Sequence, residues 1–579
     1  MAALLRIISA VTAAAALLFT AAPASADASV YLINGDAAGV GLNDPSPRAP
    51  VGGNTGTTLG QQRLIALQHA ADIWGSQLDS PVPIGLYVSF GPRTCTATGA
   101  VLASAGAWNG FANFPSAGGG FPGPVQADTW HHSALADKRA GADLTPGDPD
   151  VIAIFNVNLG QPNCFAGPGF YYGLDGNEPP GGTDLVAVAL HEFAHGLGFA
   201  QFASVTTGVE PLGFTDVYGL HLLDTSTMKT WDQMTDAERA ASAINSRKVV
   251  WEGAEVTAGA PSVLEFGVPL LTVTAPAGIA GSYEVGTASF GAPLTAAGVA
   301  GQVVLALDAA NAAGPSTTDG CTPLTNAAAV AGRIALVDRG TCGFIVKAAN
   351  LQAAGAIAML VADNAPGAPP AGLGGVDPAL TIPSVRLTIT DGALIKAQLA
   401  TGVFARLGLD MTRRAGTDSA GRVLMNAPNP VVPGSSISHW DPIAFKNLLM
   451  EPAINPDLTH LLVPPRDLTV ALMHDIGWFP DADNDGFADT LDECDGSDLS
   501  EMLSVDGEAT SIVNVLFANG CTMSDYVLAA AAAAKNHGGF VSEIAHLGNA
   551  WRSAGLISDS QRAELQTAAA HSSVGKKKK

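Results

Sequence analysis

Apolar positions recur at helical spacing between Gln61 and Trp74, where Leu64, Ile65, Leu67, Ala70, Ala71 and Trp74 share one stripe. That spacing predicts an amphipathic helix. Two later runs, Ile84–Phe90 and Asp150–Asn158, the second carrying Val151, Ile152, Ile154, Phe155 and Val157, are β-branched and apolar and bounded by Gly and Pro. They predict strands. Asp184–Leu190 is apolar and built of good helix formers, with Thr183 as its expected N-cap. From about residue 267 to 405 the pattern changes to short Ala-, Gly- and Val-rich runs with few charges, predicting a separate β-rich unit. Within it, Gly332–Cys342 predicts a strand and loop, Phe344–Ala354 a helix and Ala356–Ala362 a further strand. Beyond Trp478 an acidic stretch leads to an Ala-rich tail with helical pattern over Ser524–Lys535 and Ser558–Ala570. The elements together predict an α+β chain.

The first apolar stretch is of another kind. One positive charge in Met1–Arg6 precedes apolar Ile7–Ala22, and Ala24-Ser25-Ala26 supplies a small-x-small cleavage signal. Residues 1–26 therefore read as a secretory signal peptide. No later run approaches the ~20 apolar residues of a membrane span, so the expected product is a soluble, secreted protein, taken as a monomer. Its 579 residues exceed what one core supports. A formal charge of -24 excludes a nucleic-acid partner, since no basic surface can displace counterions. The basic run Lys576–Lys579 reads as a solvated tail. Six cysteines in an exported chain predict three disulfides, and pairing of sequence neighbours gives Cys95 with Cys164, Cys321 with Cys342, and Cys494 with Cys521. None is left over to act as a cysteine switch.

The chemistry concentrates in His191-Glu192-Phe193-Ala194-His195. Residues four apart on a helix share a face, so both imidazoles can grip one Zn²⁺. Glu192 lies about 100° round the helix from His191. It is placed to take a proton from a zinc-activated water and return it to a leaving amine. Gly196-Leu197-Gly198-Phe199 then breaks the helix, because glycine adopts the positive φ that turns the chain away.

Extended through that glycine turn, the motif resembles the metzincin clan of zinc proteases. In compact members the third ligand lies ten residues after the first His, and that position is Gln201 here. Ser438-His439-Trp440, followed by Leu449-Met450-Glu451-Pro452, resembles the corresponding part of leishmanolysin-type metzincins. The resemblance implies a metzincin-like catalytic domain with His439 as third ligand, Met450 as the methionine of the turn beneath the metal, and Thr469–Trp478 as the closing helix. Glu210 and Asp216 stay open as carboxylate alternatives for the third ligand. His460 and His474 read as structural, and the pair His131-His132 as surface residues. Gly332–Cys342 with the helix and strand after it resembles the protease-associated (PA) domain, which implies a lid or substrate-docking wall, with a spacer as the alternative.

The acidic stretch spaces Asp481, Asp483, Asp485, Asp489 and Asp492 at positions 1, 3, 5, 9 and 12, with Gly486 at 6. A calcium loop needs that spacing. Aspartate at position 12 and Cys494 just afterwards make it resemble a thrombospondin type 3 repeat, which implies a structural Ca²⁺ that stiffens a junction. The expected order is a signal peptide (1–26), catalytic domain first part (27–266), inserted PA domain (267–405), catalytic domain second part (406–479), calcium loop (480–497) and C-terminal helical region (498–579). The function expected is a secreted zinc endopeptidase acting on a protein or peptide substrate. A non-catalytic secreted binding or adhesion protein with a structural zinc is the alternative.

Overall fold

The computed structural model describes residues 28–118, 121–312, 314–375, 377–455, 457–479, 489, 492–494, 496–517 and 519–576. The expected signal peptide lies outside them.

The first unit is built on a four-stranded sheet. Its strands are β1 (Val30–Asn34), β2 (Ile84–Gly91), β3 (Ala103–Ala107) and β4 (Val151–Asn156), in the order β1-β2-β4-β3. β1, β2 and β4 are parallel, and β3 runs antiparallel along β4 at the edge. Helix α1 (Leu59–Gln77) opens on a capping box between Thr58 and Gln61. It buries Leu67, Ala70, Ala71 and Trp74, as the periodicity predicts. Leu64 instead faces outward, and Arg63 fills the interface with its guanidinium over the Phe90 ring at 4.1 Å.

Helix α2 (Leu185–Leu197) carries the histidine motif and is buried along its whole length, as an all-round apolar helix must be. Its N-cap is Asp184 rather than Thr183: the Asp184 carboxylate accepts the Val186 N–H at 2.8 Å, while Thr183 is occupied in a strand pair with Phe170. Two glycines seat the helix. A Cβ at Gly196 would lie 2.2 Å from Val151 Cγ1, so only glycine lets α2 press onto β4. Gly198, at φ 136°, ends the helix. Trp74 Nε1 donates to Leu190 O at 3.1 Å and Trp478 Nε1 to Leu197 O at 2.9 Å, fixing both flanks of α2.

An eight-stranded sheet follows, formed by β5 (Phe266–Ala275), β6 (Gly281–Glu284), β7 (Gly286–Thr287), β8 (Val299–Leu305), β9 (Ile334–Asp338), β10 (Ala358–Ala362), β11 (Ser384–Leu387) and β12 (Phe404–Arg414). Their order is β6-β5-β12-β8-β9-β10-β11-β7, with helix α3 (Phe344–Ala353) between β9 and β10. A core lies on each face of this sheet. β12 pairs with β5 out to Arg414 opposite Phe266, so the ladder runs past residue 405. The charged Asp410, Arg413 and Arg414 end the low-charge composition before the strand itself ends. Chain entry and exit meet, since Ala415 N–H donates to Glu265 O at 2.9 Å.

The chain then returns to the first core through Trp440, Met450 and helix α4 (Thr469–Asp475). The C-terminal region is not purely helical: a hairpin (Met502–Val505 with Glu508–Val513) packs with helices Met523–Ala533, His537–Ser553 and Asp559–His571 around their own core. All three expected disulfides are formed. No helix among the described residues is long and apolar enough to cross a membrane.

Candidate metal centre

His191 and His195 project from one face of α2, and His439 arrives from a loop 248 residues beyond His191. That loop is pinned: Asn426 N–H donates to His439 O at 2.8 Å, Ile437 N–H to Asn426 O at 2.7 Å, and Tyr218 Oη to Ile437 O at 2.9 Å. All three histidines are buried, and one ligand atom from each lies within 4.8 Å of the others. Nε2 of His191 is 3.2 Å from Nε2 of both His195 and His439.

Each Nδ1 is turned to a carbonyl: His191 to Leu449 O at 2.7 Å, His195 to Phe199 O at 2.8 Å and His439 to Ser435 O at 3.0 Å. A carbonyl only accepts, so each Nδ1 carries the proton and each Nε2 lone pair faces the common point. Burial pushes the His191 imidazole down to about 4 and, with His191 beside it, the His195 imidazole to about 3. Burial and the other two rings hold His439 well below its ordinary value. Three neutral imidazoles thus aim lone pairs at one point, and a cation there relieves their mutual repulsion. The residues fit zinc: bonds of about 2.0–2.1 Å in a tetrahedron put neighbouring nitrogens roughly 3.3–3.4 Å apart, close to the observed 3.2 Å.

Glu192 is buried beside His191, and desolvation pushes its carboxyl up to about 8 while the Arg93 guanidinium pulls it down. Arg93 sits on the loop after β2, tied down two residues later by the Cys95–Cys164 disulfide. A divalent cation at the histidines would add a second downward pull on Glu192.

The alternative ligands are engaged elsewhere. Asp216 accepts N–H bonds from Phe202 (2.8 Å), Ala203 (3.4 Å) and Gly219 (2.6 Å), and Glu210 pairs with Arg239 at 3.1 Å. His460 Nε2 bonds Asp184 Oδ2 at 2.6 Å, holding the N-cap of α2, and His474 stacks on Phe479 with ring centroids 3.7 Å apart. Met450 is wholly buried in a turn, its carbonyl accepting the Trp440 N–H at 2.8 Å. His131 and His132 are not surface residues. Both are buried, packed against Phe114 and Phe202, and a Cβ at Gly198, where α2 ends, would lie 3.8 Å from His132 Nδ1.

Sequence reasoning missed the groups that orient the histidines, because backbone carbonyls leave no signature in residue types. It also missed Asp467, whose Oδ2 accepts the Leu449 N–H at 2.7 Å and so braces the residue whose carbonyl orients His191. Of the acidic loop, Asp481, Asp483 and Asp485 lie outside the described residues. Asp489 is among them, and so is Asp492, whose Oδ1 accepts the Cys494 N–H at 2.7 Å.

Part of the unit inserted between these halves matches a known family. The PA domain family matches residues 296–395. This segment is a PA domain. Vacuolar-sorting receptor 2 of Arabidopsis thaliana is 34% identical over 156 residues, 24% of this chain and 24% of the receptor. ER degradation-enhancing alpha-mannosidase-like protein 3 of Homo sapiens is 53% identical over 47 residues, 8% of this chain and 5% of that protein. The chain thus spans a quarter or less of these relatives' lengths. Among solved structures, a zinc aminopeptidase from Bacillus subtilis matches with 21% identity and TM-score 0.19, covering 26% of this chain and 31% of its own. The subtilisin-like protease Apa1 from the Antarctic psychrotroph Pseudoalteromonas sp. AS-11 matches with 23% identity and TM-score 0.19, covering 26% and 34%.

Proposed function

We propose that this chain is a secreted, zinc-dependent endopeptidase of metzincin type, with His191, His195 and His439 holding Zn²⁺ and Glu192 moving the proton. The observation that carries the reading is the convergence of three neutral imidazole Nε2 atoms, each oriented by a carbonyl behind it. Residues behind ligands are a recurrent part of working metal sites. When bound, zinc supplies Lewis-acid polarisation of water and of the scissile carbonyl. Glu192, desolvated beside His191, takes the proton of the attacking water and hands it to the leaving amine. β3 is an edge strand, paired among the described residues only with β4 and packed near α2. An extended substrate can add to that edge by main-chain hydrogen bonds, so cleavage within a chain suits the geometry. The calcium reading of the 480–497 loop rests on its spacing alone.

The test is casein hydrolysis together with zinc content for the wild type and Glu192→Ala. Loss of hydrolysis with zinc retained is expected. Hydrolysis that survives the substitution sinks the mechanism, and a zinc-loaded wild type without hydrolysis favours a binding protein.

A further inference from the structure

Where the PA insert leaves the first unit, its root and the segments at Lys446 and Pro465-Arg466 border an open groove of about 630 Å³. Its lining includes Phe266 and Met411 from β5 and β12, and the cations Arg414, Lys446 and Arg466. Glu265 is the sole acid of the described lining. In a chain of net charge -24, three cations about one groove run against the general balance. The apolar side chains of the lining are only partly covered. Phe266 and Met411 are 48% and 47% exposed. Arg414 is braced by Leu264 O at 2.5 Å, with its guanidinium over the Phe266 ring at 4.3 Å. Lys446 reaches Glu265 only loosely at 3.6 Å, both being half exposed. Arg466 is exposed and has no ion pair among the described residues.

We propose that this groove binds an acidic peptide segment in which an apolar side chain lies between carboxylates. Phe266 and Met411 receive the apolar group, and Lys446 and Arg466 take the carboxylates by charge complementarity. An inorganic anion would leave the apolar floor unused. The groove is also wired to the histidine cluster. Arg466 precedes Asp467, Asp467 accepts the Leu449 N–H, and Leu449 O accepts His191 Nδ1. A peptide anchored here therefore lies next to the support of the proposed metal, although its binding needs no catalysis.

The experiment is calorimetric titration of the full chain carrying Glu192→Gln, so that the probe is not consumed, with acetyl-Asp-Leu-Glu-Phe-Asp-amide and its Asn/Gln counterpart. The acidic peptide is expected to bind and the neutral one to bind at least tenfold more weakly. Lys446→Glu/Arg466→Glu should lose at least tenfold in affinity with zinc content unchanged, and Met411→Lys should lose several-fold. Chelating the zinc should leave binding in place, which separates this site from the proposed catalytic cleft. If the double variant loses its cooperative melt, Arg466→Glu alone carries the same prediction. Equal binding of the neutral peptide, undiminished binding by the charge variants, or equal affinity for sodium sulfate alone overturns the proposal.

Discussion

Single side chains in this protein are placed by what they must not leave unpaired. Each imidazole of the cluster spends its N–H on a carbonyl, so the opposite nitrogen has one direction to point. The same logic acts at Asp137, which is buried and hydrogen-bonded to the buried Asp150. Desolvation first, and the Asp150 partner with it, push the Asp137 carboxyl from 3.8 up to about 8. Between those values the folded chain holds a proton that the unfolded chain releases, so this contribution is full below about pH 4 and is lost as pH rises towards about 8. Asp137→Asn should therefore flatten the pH dependence of the melting temperature over that window. A wild-type and variant difference that stays constant across the window contradicts the assignment.

Secondary-structure elements were legible where periodicity was strong. Helix α1, strands β2 and β4 and the histidine helix fall where their apolar spacing predicts, and the five-residue motif identified two of the three converging imidazoles. β3 was not legible, because Ala103–Ala107 is Ala, Ser and Gly without alternation, and its register comes from β4. The burial of His131 and His132 is not legible in the sequence, because burial of a polar pair is decided by tertiary packing, which adjacent residue types do not show. The helix His537–Ser553 carries Gly538-Gly539 in its first turn, which reads as a break. Close packing of α2 on β4 makes an element-scale prediction. Gly196→Ala forces a Cβ against Val151 and should cost about 1–3 kcal/mol, read as a lower melting temperature with weaker zinc retention. An unchanged melt means the helix sits further from the sheet.

At the scale of the whole molecule, the PA domain is spliced between two parts of one core. Its entry and exit are joined by the Ala415–Glu265 hydrogen bond, a geometry that tolerates removal of an insert. Replacing residues 266–414 by a short Gly-Ser linker should leave hydrolysis of a short peptide intact and alter cleavage of proteins. Equal loss of both would refute a docking role for the insert. His439 was reachable from the sequence only by resemblance, because nothing in local spacing ties it to His195 across such a distance. The central claim is that this split pair of segments closes on one ion. It is tested most directly by the zinc content of purified wild type and His439→Ala after gel filtration against a weak chelator. One zinc per chain in the wild type and none in the variant is the predicted result; full zinc retention by His439→Ala would contradict it.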